Sequence, residues 1–303
     1  MPLHETVHSL SAADRASEAA IVAELAERNA GPPPADLRAS YDAMVARTPI
    51  AEGVTCEPVD SGGVRGVWVR PAGAPRERVI FYLHGGGYHL GTAHAYRGLA
   101  SQIARQAGVA AFVLDYPLAP EAVFPAPYEA ARAAWSWLGT QGVTRVALVG
   151  DSAGGGLALA IPAGPPAGAP RVSAVVVFSP WCDLALTSAS INDPHAIDPV
   201  FGRSVIAGLA KGALGGADPR DPRVSPRHGK AEGMPPVAIQ VGTHEILRDE
   251  ARDYAALAAA HGVDVKLDLY DGLHHVFQHE GARLEAARRA LTDAAAFVAA
   301  HLG

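Results

Sequence analysis

The sequence predicts an α/β protein whose mostly parallel β-sheet is flanked by helices on both faces. Short apolar runs of strand length recur along the chain, and segments with helical periodicity such as Tyr128–Leu138 separate them. Strands that are apolar throughout are typical of a sheet buried on both faces. Apolar residues make up 49% of the 303 residues, enough to fill such a core. The predicted strands include Val79–Leu83, Val109–Leu114, Val146–Val149, Val172–Phe178, Val237–Val241 and Val263–Tyr270.

Helices are predicted before the first strand. Apolar residues recur on one face of Ser11–Asn29, with Ser11 as the expected N-cap and Gly31 followed by prolines closing the helix. A second short helix is predicted over Asp36–Ala46. Together these helices are expected to form an N-terminal cap.

The pattern divides the chain into a cap and a main domain. Residues 1–50 are expected to be cap helices, and residues 51–303 the catalytic domain. A segment rich in Asp, Pro and Gly at about 184–220 interrupts the alternation of strands and helices and is predicted to be a second part of the cap. The proline-rich Ile161–Pro170 stops a helix where a longer one would be expected.

Composition excludes several classes of function. The formal net charge is −6 and there is no dense Lys/Arg run, so neither nucleic acid nor an anionic membrane is an expected partner. Cys56 and Cys182 are the only cysteines, which suits a reducing compartment. The sequence shows neither a signal-peptide pattern nor an apolar run of the ~18 residues of a membrane span. A cytoplasmic location is therefore expected.

A serine between glycines gives the first chemical signal, Gly150-Asp151-Ser152-Ala153-Gly154. The motif follows a predicted strand and precedes small residues that can begin a helix. A serine on such a strand–turn–helix connection is presented as a nucleophile, and its strained turn needs small flanking residues. We therefore predict Ser152 as a nucleophile on an α/β-hydrolase fold.

A glycine-rich turn, His84-Gly85-Gly86-Gly87, follows another predicted strand. Glycines allow backbone N–H groups to point at the oxyanion of a tetrahedral intermediate. We predict that the N–H groups of Gly86, Gly87 and Ala153 form an oxyanion hole. His84 precedes the serine in the chain, so it is expected to brace this loop by hydrogen bonding. A flexible turn without a catalytic role is the alternative.

The catalytic base is predicted on the loop after the last strand, where this fold places it. His275 lies there, in the segment Tyr270–Phe277. A metal site formed by His274, His275 and His279 is the alternative, but no HExxH motif or paired cysteine spacing accompanies them. Neither a metal nor an organic cofactor is expected.

Several motifs in this order resemble the bacterial hormone-sensitive-lipase-like esterases, in the branch with a GDSAG motif. The resemblance runs from about Val79 to the C-terminus. It implies an eight-stranded sheet, a small helical cap, hydrolysis of short-chain acyl esters without cofactor, and in many members a homodimer. The motifs are HGGG at 84–87, DYPLAPE at 115–121, GDSAGG at 150–155, SPWCDL at 179–184 and LRDE at 247–250.

The position of the acid can be assigned in two registers. Relatives show an Asp as the acid in either DPLRDE or GxDExL. Alignment on LRDE places Glu245 at this position, whereas alignment on Val241-Gly242 places His244 there. Glu245 is favoured because a carboxylate stabilises the imidazolium that forms during the reaction, and His244 cannot supply that charge.

These residues predict a carboxylesterase that forms an acyl-enzyme through Ser152, His275 and Glu245. A small-molecule ester is the expected partner. Hydrolysis of lactones, carbamates or amides by the same residues stays open, because the shape of the pocket sets the choice of leaving group. A non-catalytic small-molecule-binding protein on the same scaffold is the other alternative, and a missing acid would favour it.

Overall fold

Nine strands form one sheet in the computed structural model, which describes residues 3–303. The strands are β1 Leu3–His8, β2 Val54–Ser61, β3 Val64–Pro71, β4 Arg78–Leu83, β5 Ala110–Leu114, β6 Arg145–Asp151, β7 Arg171–Phe178, β8 Val237–His244 and β9 Val265–His274. Across the sheet they follow the order β1-β9-β8-β7-β6-β4-β5-β3-β2. β3 pairs antiparallel with β2 and β5, and every other pairing is parallel. The predicted mostly parallel α/β fold is confirmed.

The sheet has one strand more than the eight predicted, because Leu3–His8 adds β1 at the edge. β1 pairs in parallel with β9 along its whole length. His8 Nε2 lies 2.8 Å from Asp268 Oδ1, and the His8 ring stacks on Tyr270 with 4.5 Å between centroids. Most of β1 is exposed, so its sequence carries no hydrophobic pattern that would predict a strand.

Helices cover both faces of the sheet. Alternate residues of β4 point to opposite faces: Ile80 and Tyr82 belong to the core on one face, and Phe81 and Leu83 belong to the core on the other. Both cores are buried, which explains why the central strands are apolar at every position. The helices are α1 Ala12–Ala30, α2 Leu37–Val45, α3 Ala93–Ala107, α4 Ala126–Thr140, α5 Ser152–Ala160, α6 Ala189–Asn192, α7 Arg203–Leu214, α8 Arg248–Ala260 and α9 Glu285–Leu302.

The two N-terminal helices begin where their capping residues predict. Ser11 Oγ accepts a hydrogen bond from the N–H of Asp14, and Asp36 Oδ1 accepts one from the N–H of Ala39. At the far end of α1, Asn29 Nδ2 donates to the carbonyl oxygen of Pro199, which lies between α6 and α7. The N-terminal helices therefore contact the insertion between β7 and β8.

The proline-rich segment after α5 is a loop with defined hydrogen bonds. A short 3₁₀ turn, Ile161–Ala163, ends the helix, and the chain then runs to β7. Two side chains of α4 hold this loop: Ser136 Oγ donates to the carbonyl oxygen of Ala167, and Trp135 Nε1 donates to that of Pro170. Side chains of α4 therefore fix the position of this loop. No helix within residues 3–303 combines the length and apolar character that crossing a membrane requires.

Candidate active site

The predicted site residues follow four parallel strands at the points where these strands end. Residues 84–87 follow β4, Ser152 follows β6, Glu245 follows β8, and His275 follows β9. These strands lie within one contiguous part of the sheet, so their carboxyl ends meet at one edge. Ligands of open α/β sheets bind outside that edge. The topology therefore brings together residues that are far apart in the sequence.

Ser152 occupies the sharp turn between β6 and α5. Its φ of 49° lies in the left-handed region, which a residue with a side chain rarely adopts. A Cβ atom at Gly154 would collide with the carbonyl oxygens of Leu83 and His84, so the turn requires glycine there. Ser152 keeps 8% of its surface exposed, whereas the residues on either side of it are almost completely buried. This turn therefore leaves part of Ser152 exposed while Asp151 and Ala153 stay buried.

Glu245 is the carboxylate that contacts the predicted base. Its Oε2 lies 2.7 Å from His275 Nδ1, and both side chains are buried. His244 belongs to β8, opposite His274, and makes no hydrogen bond to His275 among the described residues. Of the two registers considered from the sequence, the geometry matches the one that contains Glu245.

The environment of His275 favours its protonated form. Burial on its own would lower the pKa of the imidazole, but the charge and hydrogen bond of Glu245, together with the charge of Asp198, raise it above its ordinary value. The Glu245 carboxylate accepts a hydrogen bond from the N–H at Nδ1, which leaves Nε2 as the nitrogen that can accept a proton. The ring edge of Phe201 packs against the imidazole with 4.9 Å between centroids.

Ser179 is a further hydrogen-bond partner of Glu245, and the sequence motifs gave it no role. Its Oγ donates to Glu245 Oε1 over 2.7 Å and accepts from the N–H of Val276 over 3.1 Å. Glu245 Oε1 also accepts from the N–H of Gly242. Ser179 opens the SPWCDL motif, so the only sequence signal for it was the family resemblance.

The glycine loop after β4 and the start of α5 carry unpaired backbone donors. Among residues 3–303, no acceptor pairs with the N–H groups of Gly86 and Gly87. Ala153 lies in the first turn of α5, where N–H groups have no partner within the helix. Gly86 has a φ of 106°, and a Cβ atom there would collide with Leu90. The three predicted oxyanion donors are therefore available to a ligand.

His84 has the bracing role expected from its position. Its Nδ1 lies 2.8 Å from the carbonyl oxygen of Gly85, and its ring stacks on Tyr116 with 4.3 Å between centroids. The side chain is fully buried, and burial lowers the pKa of the imidazole. His84 therefore contacts the glycine loop through the carbonyl oxygen of Gly85.

Asp151 connects the serine turn to the glycine loop, and sequence reasoning overlooked it. Its Oδ1 accepts from the N–H of Gly85 over 3.0 Å and from the hydroxyl of Tyr82 over 2.9 Å, and its Oδ2 accepts from the hydroxyl of Tyr96 over 3.0 Å. Burial raises the pKa of Asp151 to about 6. The Tyr96 hydroxyl in turn lies 2.7 Å from that of Tyr41 on α2, so the network reaches the N-terminal helices.

Two side chains of the insertion pack on the glycine loop and on His275. A Cβ atom at Gly87 would approach Leu209 Cδ1 on α7 to 2.9 Å, so this leucine packs directly on the glycine loop. Phe201, just before α7, packs on His275. The insertion therefore limits the space above both the loop and the histidine.

Two of the three histidines of the metal alternative pair with carboxylates. His274 Nδ1 contacts the carboxylate of Glu18, and His275 Nδ1 contacts Glu245. Burial lowers the pKa of His279 to about 4. No group of three or more His, Cys, Asp or Glu side chains in the described part of the chain is arranged to hold a metal ion.

Known proteins share this fold over most of the chain. A family model described as alpha/beta hydrolase fold matches residues 80–279. The chain is 41% identical over 234 residues to an acetyl-hydrolase of Streptomyces hygroscopicus, covering 76% of this chain and 78% of that protein. It is 30% identical over 234 residues to an ethyl acetate hydrolase of Pseudomonas putida, covering 74% and 73%. A crystal structure of an esterase from the bacterial hormone-sensitive lipase family matches with a TM-score of 0.88 and 36% identity, covering 95% of this chain and 99% of that one.

Ser152 follows β6, Glu245 follows β8 and His275 follows β9, so serine, carboxylate and histidine come in the chain order that α/β hydrolases use. The sheet and this order define a hydrolase of that class. The sequence and structural matches are more specific, and the chain belongs to the bacterial hormone-sensitive-lipase family. It is a carboxylic ester hydrolase.

Proposed function

We propose that Ser152, His275 and Glu245 form the catalytic triad of this carboxylesterase. The observation that carries the proposal is the 2.7 Å contact between Glu245 Oε2 and His275 Nδ1, in a pair that is shielded from water. A buried carboxylate orients the imidazole and stabilises the imidazolium that forms when the base takes a proton. The strained, partly open turn at Ser152 supports its role as the nucleophile.

Acyl transfer then proceeds in two steps. Ser152 Oγ attacks the carbonyl carbon of the ester while His275 Nε2 takes the hydroxyl proton, and the carbonyl π electrons move onto oxygen. Collapse of this intermediate breaks the bond to the alcohol oxygen, which leaves with the proton from His275. Water attacks the acyl-enzyme with His275 as base, the Ser152 ester bond breaks, and the proton returns to the serine as the acid leaves.

The N–H groups of Gly86, Gly87 and Ala153 are the proposed oxyanion donors. Their lack of acceptors within residues 3–303 supports this role, because a buried donor without a partner is costly unless a ligand or water satisfies it. Donors that are already in place stabilise the developing charge without reorganisation.

Esters of short acyl chains, acetyl esters above all, are the proposed substrates. Two relatives are named for acetyl or ethyl acetate hydrolysis. Leu209 and Phe201 restrict the space above the glycine loop and His275, which supports a small group at this point. Each additional methylene of the acyl chain adds only ~0.8 kcal/mol of binding free energy, and only where the pocket can bury it.

A panel of p-nitrophenyl esters with acyl chains of increasing length tests this function. We expect turnover of the shortest chains, loss of turnover in Ser152→Ala, and labelling of Ser152 alone by an organophosphate. Ser61→Ala, which changes an exposed serine on the edge strand β2, is the matched control and should keep full activity. Labelling of another serine, or turnover in Ser152→Ala, would contradict the assignment.

The non-catalytic alternative depended on a missing acid, and the contact of Glu245 with His275 leaves it without support.

Residues 1–50 and about 184–220 are proposed to form the cap together, supported by the Asn29–Pro199 hydrogen bond. A cytoplasmic location and a homodimer stay predictions.

A further inference from the structure

A buried carboxylate of the N-terminal helix lies beside the catalytic loop, and the triad does not use it. Glu18 on α1 is 5% exposed, and its two oxygens lie 2.8 and 2.9 Å from Nδ1 of His274. His274 is equally buried and directly precedes His275 in the chain. The pair therefore connects the first helix to the residue next to the proposed base.

Separation of Glu18 from His274 would leave each buried side chain without a hydrogen-bond partner, and the free-energy cost of this holds the pair together. A carboxylate in an apolar environment is expensive unless hydrogen bonds satisfy it, and so is an unpaired imidazole N–H. Both Glu18 oxygens face the same nitrogen, so Nδ1 of His274 carries a proton and donates it. The orientation of the His274 ring, and with it the local backbone, is fixed by this contact.

The loop that follows needs such fixing, because its backbone is strained. Val276 has a φ of 52°, and a β-branched residue rarely adopts the left-handed region. Strained backbone persists only where the surroundings hold it. Ser179 Oγ holds the loop after His275 by accepting from the N–H of Val276, and Glu18 holds the residue before it. His275 therefore sits between two anchored neighbours.

Helix α1 is itself fixed to the main domain. Asp14, one turn before Glu18, accepts from the N–H groups of Glu285 and Ala286 at the start of α9, over 2.8 and 3.2 Å. Ile21, one turn after Glu18, is buried in a cluster with residues of β9 and the loop after it. The position of Glu18 relative to the catalytic loop is therefore defined by contacts on both sides of it.

We propose that Glu18 is a positioning residue for catalysis. Through His274 it holds the loop at the place where His275 contacts Glu245. The inference rests on the proposed role of His275 as base. It gives α1 a function beyond that of a cap helix: Glu18 on this helix contributes to kcat without contacting the substrate.

Four variants test this role in the full-length protein. In Glu18→Ala and in His274→Ala, kcat on p-nitrophenyl acetate should fall about 10- to 100-fold with little change in KM, since small misplacements of a catalytic group have effects of this size. The double variant should be no slower than either single one, because both changes remove the same contact. Glu18→Gln keeps an acceptor oxygen, and His274→Asn keeps an amide donor near Nδ1, so both should retain most of the activity.

The same helix supplies a control. Glu24→Ala removes an exposed ion pair with Arg283 on the main domain and should leave kcat unchanged. This control separates the loss of the Glu18–His274 contact from the loss of an ion pair elsewhere on α1.

A folded Glu18→Ala protein with wild-type kcat would overturn the inference, as would a Glu24→Ala variant with an equal loss of kcat. If Glu18→Ala fails to fold, His274→Ala and Glu18→Gln carry the comparison. A readout without turnover is the low-field proton NMR signal of the His275–Glu245 hydrogen bond, which should shift or broaden in Glu18→Ala. An unchanged signal would refute positioning, whereas a wild-type protein without ester turnover would refute the proposed function instead.

Discussion

Glu245 and His275 form a direct hydrogen bond of 2.7 Å between Oε2 and Nδ1, although 30 residues separate them in the chain. The adjacent His244 lies in β8, opposite His274 of β9. Successive side chains at the end of a strand point in different directions, so only one of the two residues can face His275. The end of β8 therefore decides which side chain orients the proposed base.

Replacement of this carboxylate should cost most of the activity. Glu245→Gln should lower kcat by up to ~10⁴-fold, by analogy with the loss of the aspartate in a serine protease, because an amide cannot stabilise the imidazolium. His244→Ala, the matched control, should cost little. Steady-state kinetics on one short-chain ester measure both. An active Glu245→Gln enzyme would exclude Glu245 as the acid.

The pH profile should report the charged surroundings of His275. The base acts in its neutral form, so kcat/KM should fall as the pH drops through the pKa of His275 in the free enzyme. Glu245 and Asp198 raise this pKa above its ordinary 6.5, so the acid limb should lie above pH 6.5. Asp198→Asn should move the limb to lower pH. A wild-type limb below pH 6.5, or no movement in the variant, would contradict the electrostatic argument.

Asp151 should affect kcat because its carboxylate holds the glycine loop in position. In Asp151→Asn one acceptor oxygen becomes an amide donor, which would face the N–H of Gly85 or a tyrosine hydroxyl. We expect kcat to fall about 10- to 100-fold through a displaced oxyanion hole, somewhat less than the direct loss of a donor would cost. Asp253→Asn, which changes an exposed partner of Arg227, should be neutral. Wild-type kcat in Asp151→Asn would show that the loop holds its shape without this carboxylate.

The insertion should limit the size of the substrate. Leu209→Ala opens space over Gly87, so the ratio of turnover on octanoyl to acetyl esters should rise relative to the wild-type ratio. Val205→Ala truncates an exposed residue of the same helix and should leave the ratio unchanged. The p-nitrophenyl ester series measures both. An unchanged or lower ratio in Leu209→Ala would place the limit on acyl length elsewhere.

Local sequence is sufficient to predict much of this site. The turn at Ser152 and the glycine loop depend on short-range backbone geometry, and the glycines that permit it are visible in the sequence. The central strands are equally clear, because burial on both faces requires apolar residues at every position. The position of His275 follows from chain order in the fold.

Other features depend on contacts between distant segments, and no local pattern encodes them. β1 is mostly exposed, and it becomes a strand because the edge of β9 offers unpaired backbone groups. The choice between His244 and Glu245 depends on which side chain reaches His275 when β8 pairs with β9. Glu18 and His274 are 256 residues apart, and each is an ordinary polar residue until folding buries both against one another. Chain order therefore predicts the chemistry of the site, whereas the packing of remote segments decides the groups that hold it in place.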